Sequence, residues 1–136
     1  MNDLPQPSTA LHSDDHELRF GGIQRLYGTR AAARFWQAHV VVAGVGGVGS
    51  WAVEALARSG IGRLTLIDLD DVCVSNVNRQ LHALDGTIGR PKVEVLAERC
   101  RAIQPGIEVI SDTAFITPGN LAERLPEAAD HVIDSI

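Results

Sequence analysis

Six consecutive residues, GVGGVG at 44–49, carry the strongest chemical signal in the chain. Gly44, Gly46 and Gly49 reproduce the spacing GxGxxG, which turns a backbone sharply out of a strand and into a helix. In that pattern Gly44 permits the tight turn, Gly46 removes a Cβ that would block a phosphate, and Gly49 lets the helix approach the sheet. The unpaired amides at the helix start then face an anion. Gly47 removes one more side chain, an opening that suits a phosphate chain lying closer to the backbone than the pyrophosphate of a dinucleotide requires. Asp68 follows after about twenty residues, where an acid accepts hydrogen bonds from ribose hydroxyls. A nucleotide is the ligand this chemistry fits.

The polar stretch after Asp68 separates nucleotide classes. A dinucleotide-dependent oxidoreductase reaches its next helix within a few residues, whereas residues 68–92 form a long crossover that delivers Asn76, Arg79, Gln80 and Lys92. ATP carries about four negative charges, and each charge-assisted contact to a phosphate oxygen contributes about 1.5–3 kcal/mol, so Arg79 and Lys92 could clamp a triphosphate. Taken singly, Arg79 reads equally as a solvated loop residue and Lys92 as a cation at a helix start. Asp70 either serves the same pocket or caps a turn. His82 lies close by in sequence, as a substrate contact or a structural hydrogen bond. Cys73 has no local base to activate it and Cys100 falls on an apolar stripe, so both read as packing residues.

These groups need a scaffold. The run at 39–44, HVVVAG, is β-branched and ends on glycine, the pattern of a strand buried on both faces. Val48, Trp51, Ala52, Ala55 and Leu56 fall on one helical stripe, closed by Gly60 and Gly62. A second strand at 63–68 completes a βαβ unit with a right-handed crossover. Pro91 opens another helix whose Val93, Leu96, Ala97, Cys100 and Ile103 form the apolar stripe. Strands at 107–111 and 131–134 flank a short helix within 118–125. Ahead of all this, one helical segment runs from Arg19 to about Ala38, and residues 1–17 read as a flexible tail. The expected fold is α/β, a Rossmann-like doubly wound and mostly parallel sheet, incomplete at the carboxyl end. The strand at 131–134 should be central in such a sheet, so a chain stopping at Ile136 would leave its edge bare.

Composition sets outer bounds. With 136 residues, 45% hydrophobic and 21% charged, the chain has the balance of one globular domain. Twelve Lys plus Arg against seventeen Asp plus Glu give a net charge of -5, which supplies no general attraction to nucleic acid or anionic membrane. Arg25, Arg30 and Arg34 form either a small basic face for RNA or a solvated helix surface. The two cysteines have no CxxC spacing and the five histidines form no metal set. The apolar run at 40–53 is too broken to span a bilayer and the amino terminus has no secretory pattern, so the expected location is cytoplasmic.

Taken in order, GVGGVG (44–49), LIDLD (66–70), SNVNRQ (75–80), GRPK (89–92) and VID (132–134) resemble the ThiF/MoeB/HesA adenylating superfamily, relatives of the ubiquitin-activating enzymes. The resemblance runs from about Arg19 to the end, so residues 18–136 read as the amino-terminal part of a ThiF-type nucleotide-binding domain. RFGGIQRLYG (19–28), DDVCVSNVNRQLHAL (70–84) and FITPGN (115–120) most resemble the branch that cyclises threonylcarbamoyladenosine in tRNA, the tRNA threonylcarbamoyladenosine dehydratases. That resemblance implies an ATP-dependent enzyme in which the substrate carboxylate attacks the α-phosphate. An acyl adenylate and pyrophosphate result, and intramolecular attack on the activated carbonyl then releases AMP. It also implies that Gly47 lies against the nucleotide, Asp68 holds the ribose, Asn76 and Arg79 meet the phosphates, and Lys92 stabilises charge on the α-phosphate and the leaving pyrophosphate. Arg79 and Lys92 are thus the expected catalytic pair. Gly44, Gly46, Gly47, Gly49, Asp68, Asp70 and Asn76 join them in binding the nucleotide. Mg2+ would accompany ATP, tRNA would be the substrate, the full-length form would be a homodimer, and sulfur-transfer proteins would be further partners.

Two departures from the superfamily pattern bear on this reading. The motif RYxRQ, whose second arginine reaches the partner's ATP, is replaced by RFGGIQ with Gly22 at that place, leaving Arg19 or Arg25 as substitutes. The superfamily's magnesium acid, three positions after the aspartate of VID, falls at the first residue beyond Ile136, so no metal ligand is expected within this chain and the chain alone is expected to be inactive. The alternatives are an adenylyltransferase for a sulfur-carrier protein, an NAD-binding oxidoreductase built on the same glycine turn, and a non-catalytic remnant.

Overall fold

The computed structural model describes residues 15–136, so most of the expected tail lies outside the described residues. His16 and Glu17, assigned to that tail from sequence, instead open a helix. The leading segment is two helices, α1 (His16–Tyr27) and α2 (Thr29–Gln37), broken at Gly28. A single helical segment from Arg19 to Ala38 was expected, and Gly28, at φ +89°, interrupts it. Then come β1 (His39–Ala43), α3 (Gly49–Arg58), β2 (Arg63–Ile67), α4 (Lys92–Ile103), β3 (Glu108–Asp112), α5 (Leu121–Arg124) and β4 (His131–Asp134). Two single 3-10 turns, Val74–Asn76 and Asp85–Thr87, organise the crossover between β2 and α4.

All pairings are parallel, in the order β3-β2-β1-β4, so the fold is the α/β parallel sheet expected from the βαβ alternation. β1 is buried along its whole length because both faces are covered. On one face Val40, Val42, Leu64 and Leu66 pack with Val53 and Ala57 of α3 and Val93, Leu96 and Cys100 of α4. On the other face Val41 and Ile67 meet Ala114, Ile116, Leu125 and Ala129 from the segment around α5. Each fully buried aliphatic side chain contributes about 1.5–3 kcal/mol, so these two layers hold the strand ends in place. β4 forms one edge of the sheet and is largely exposed.

α3 turns a different face to the core from the one its spacing predicts. Val48 is 72% and Trp51 54% exposed, while Gly49, Ser50, Val53 and Ala57 are buried. The helix is apolar almost all round, so periodicity admits two stripes. The close approach imposed by the glycine turn selects the one made of small residues. Its carboxyl end is a Schellman motif: Gly60 donates to the Ala57 carbonyl and Ile61 to that of Leu56.

Glu54 pins α3 to α4, accepting from Arg99 Nε at 2.6 Å and from Arg58 Nε at 2.7 Å. The Arg99 hydrogen bond, opposed by burial and reinforced by Arg58, holds the carboxyl below its ordinary value of 4.5. A depressed carboxylate stabilises the fold above its unfolded value and ceases to do so as pH falls through the folded one. Glu54→Gln is therefore expected to cost about 1 kcal/mol at neutral pH. The difference from the parent protein should shrink as pH falls from the ordinary value of 4.5 and disappear once pH has passed below the lowered folded value, in urea titrations run across pH.

Candidate functional site

β1 ends at Ala43, and the chain turns at Gly44 with φ +84°, where its amide donates to the Ile67 carbonyl at the end of β2. That left-handed conformation suits a residue without Cβ. At the other end of the turn, a Cβ on Gly49 would lie 1.8 Å from the Gly44 carbonyl oxygen. The turn thus closes on itself and delivers the amino terminus of α3 beside the ends of β1, β2 and β4.

Asp68 organises this turn. One carboxylate oxygen accepts from the Val45 amide at 2.8 Å and the other from the Asp70 amide at 2.9 Å. The expected ribose acid therefore already holds two backbone groups, with lone pairs to spare on both oxygens. Among the described residues, the amides of Gly46, Gly47, Val48 and Gly49 donate to no backbone or side-chain acceptor. Four unclaimed donors at a helix start, with the positive end of the helix dipole behind them, form an anion cradle.

The crossover folds over this cradle. Arg79 lies against Gly47, its Cγ 3.5 Å from where a Cβ would stand, and is steadied by the Ser75 carbonyl and Asn78 Oδ1. Trp51 donates to the Arg79 carbonyl at 2.9 Å, so the exposed indole supports the loop from below. Gln80 is buried, with Nε2 beside Gly46 and Oε1 lacking a partner. Sequence reasoning brought Gln80 to this region without assigning it a role. Asn76 is also buried, and its Oδ1 accepts from the Cys73 amide at 2.9 Å, shaping the first 3-10 turn.

Lys92 is the first residue of α4 and only 5% exposed, with Nζ 3.3 Å from Asp70 Oδ2. A buried ammonium at a helix amino terminus opposes the dipole and has three donors to place, yet here it has one long contact to an exposed carboxylate. The arrangement leaves capacity for a second, stronger anion. Asp70 is tied to Lys92 twice, since the lysine's backbone amide also donates to the Asp70 carbonyl.

His82 is buried and its Nε2 donates to the Val45 carbonyl at 2.8 Å, which decides between the two readings in favour of the structural hydrogen bond. Burial pushes its pKa down, opposed by that hydrogen bond, with a further lowering from Lys92. Cys73 is exposed, whereas Cys100 is buried within the core and its thiol is pushed up to about 12. The fold brings Asp68 to Val45, Arg79 to Gly47 and Lys92 to Asp70, while Asn76 shapes the 3-10 turn ahead of Arg79. It does not bring Arg19 or Arg25 to the glycine turn. Arg19 pairs with Asp15 and donates to the Ile103 carbonyl at the far end of α4, and Arg25 folds back over Gly21.

Comparison with known proteins gives this arrangement its family. The ThiF family model matches residues 22–136. The chain is 57% identical over 123 residues to the tRNA threonylcarbamoyladenosine dehydratase of Haemophilus influenzae, covering 90% of this chain and 47% of that protein. A crystal structure of the Escherichia coli tRNA N6-threonylcarbamoyladenosine dehydratase in complex with ATP superposes with a TM-score of 0.89 at 54% identity, over 91% of this chain and 51% of the other. The Escherichia coli molybdopterin-synthase adenylyltransferase is 39% identical over 95 residues, 70% of this chain and 38% of that protein. The chain spans about half the length of the curated relatives it matches. With glycine turn, terminal acid, crossover cations and VID strand all in the places the match covers, the chain belongs to the ThiF family.

Proposed function

We propose that this chain is the nucleotide-binding part of an ATP-dependent enzyme that adenylates and cyclises threonylcarbamoyladenosine in tRNA. The observation that carries the reading is the juxtaposition of four free amides at the start of α3 with Arg79 over Gly47 and the under-coordinated Lys92. Together they neutralise and orient a polyphosphate. The identity to two bacterial dehydratases, 57% and 54%, directs the choice of substrate. The 39% match to an adenylyltransferase supports sulfur-carrier activation less well.

In this mechanism the protein supplies no nucleophile for the first step. The substrate carboxylate forms a bond to the α-phosphorus as the bond to the bridging oxygen of pyrophosphate breaks. The turn amides and Arg79 hold the phosphates in line, and Lys92 shifts from Asp70 toward the charge that develops on the departing group. Asp68 keeps the turn in shape and offers its remaining lone pairs to the ribose. Magnesium enters this reading through the acid expected just beyond Ile136. Among the described residues no His, Cys, Asp or Glu cluster is grouped to hold a metal ion, so no step is routed through one.

The reading extends to a cytoplasmic, homodimeric enzyme in the full-length form. Among the described residues no helix is long and apolar enough to cross a membrane. Calorimetry on the full-length protein tests it: ATP should bind and NAD should not, and tRNA bearing threonylcarbamoyladenosine should trigger pyrophosphate release. Binding of NAD without ATP would replace this reading with an oxidoreductase.

A further inference from the structure

Three successive carbonyls of the glycine turn are each tied down by a side chain from a different part of the chain. Ser135, just after β4, donates through Oγ to the Gly44 carbonyl at 2.7 Å. His82, in the crossover, donates through Nε2 to the Val45 carbonyl at 2.8 Å. Ser50, in α3, donates to the Gly46 carbonyl through its amide, at 3.1 Å, and through Oγ, which also accepts from the Leu81 amide at 3.3 Å. A trans peptide is planar, with its C=O and the following N–H pointing in opposite directions. Fixing the three oxygens therefore fixes three donors: the Val45 amide onto Asp68, and the Gly46 and Gly47 amides away from the protein.

We infer that His82 and Ser50, with Ser135 beside them, are positioning residues that aim the Gly46 and Gly47 amides at the phosphate chain of a nucleotide. The inference rests on the nucleotide reading above and assigns it residues that the motif comparison left without a role. His82 is the informative member. It is 1% exposed, and its Nδ1 is buried with no partner. An unmade hydrogen bond of that kind is unfavourable, a cost that an aliphatic residue of similar size avoids. A histidine is worth that cost here for the donor it aims at Val45. Because a carbonyl only accepts, the Nε2–H tautomer is set, and the ring acts as a fixed strut rather than a proton carrier.

The test compares His82→Leu, His82→Gln and Ser50→Ala with the parent full-length protein, titrating ATP and adenosine and recording melting curves. His82→Leu should bind ATP about tenfold more weakly, as expected for loss of about one aimed phosphate contact, with adenosine affinity unchanged. His82→Gln keeps a donor and should recover most of the loss. Ser50→Ala removes little volume and should fold, weakening ATP about threefold or more with adenosine again spared. Equal ATP affinity in folded His82→Leu and Ser50→Ala overturns the inference. So does a parallel loss for ATP and adenosine, which marks a general structural role. A parent protein that binds no ATP overturns the nucleotide reading itself, and the inference falls with it.

Discussion

Replacing Lys92 with methionine is expected to leave the protein folded and to lower the rate of pyrophosphate release about 100- to 1,000-fold, the range for loss of a preorganised charge at a developing anion. The fold should tolerate the change because the methionine keeps most of the buried stem. The partner left behind, Asp70, is 59% exposed at its side chain and is rehydrated rather than stranded. ATP affinity should fall far less than the rate, because Lys92 at rest points to Asp70 and on the proposed reading would meet the phosphates chiefly as charge moves onto the leaving group. Arg79→Ala should show the opposite split. Its side chain already lies over Gly47, so on the proposed reading it would contact the phosphates before reaction, and its loss should weaken ATP binding about tenfold or more. Lys92→Arg should not rescue, since a planar fork does not fit the buried space of a compact ammonium. Steady-state pyrophosphate assays with ATP titrations separate the two residues. A Lys92→Met enzyme retaining more than about a tenth of the parental rate contradicts the assignment.

Much of this site was legible because its chemistry is local in sequence. Residues 44–49 announce the turn, a β-branched run announces β1, and the strand at 131–134 was placed at its observed bounds. What could not be read comes from chain closure over long separations. Ser135 reaches Gly44 across 91 positions and His82 reaches Val45 across 37, and no periodicity links such pairs. A serine after VID and a histidine within RQLHAL were visible as residues but not as struts. Asp68 was expected to face a ribose, yet in the protein alone it braces the amides of Val45 and Asp70, since a carboxylate at a strand end satisfies whichever donors lie nearest. The buried face of α3 was misplaced for a related reason: bulk marks a core stripe only where there is room for bulk. The break at Gly28 escaped detection because one glycine between two helical stretches does not show in sequence that it takes φ +89°.

Gly49→Ala is expected to be strongly destabilising. A Cβ at this position would stand 1.8 Å from the Gly44 oxygen, 2.8 Å from its carbonyl carbon and 2.6 Å from Ser135 Oγ. Two of these atoms are backbone at the tightest point of the turn, where Gly44 is fixed by its hydrogen bond to Ile67 and by Ser135. Relief requires α3 to move away from β1, which opens the interface that Val53 and Ala57 fill. Overpacking of this kind costs about 3 kcal/mol or more, a large share of a domain's total of about 5–15 kcal/mol. The melting temperature should fall by about 6–12 °C, and ATP binding should be lost even in the fraction that folds. Gly47→Ala separates fold from site. There a Cβ meets only the Arg79 side chain, at an ordinary 3.5 Å, so the protein should melt normally while a methyl group intrudes where the phosphate passes. Gly86→Ala, with nothing within 4 Å, is the neutral control. If Gly49→Ala melted with Gly86→Ala, the turn would not be closing on itself at the 1.8 Å approach described, and the aim of its amides would lose its physical basis.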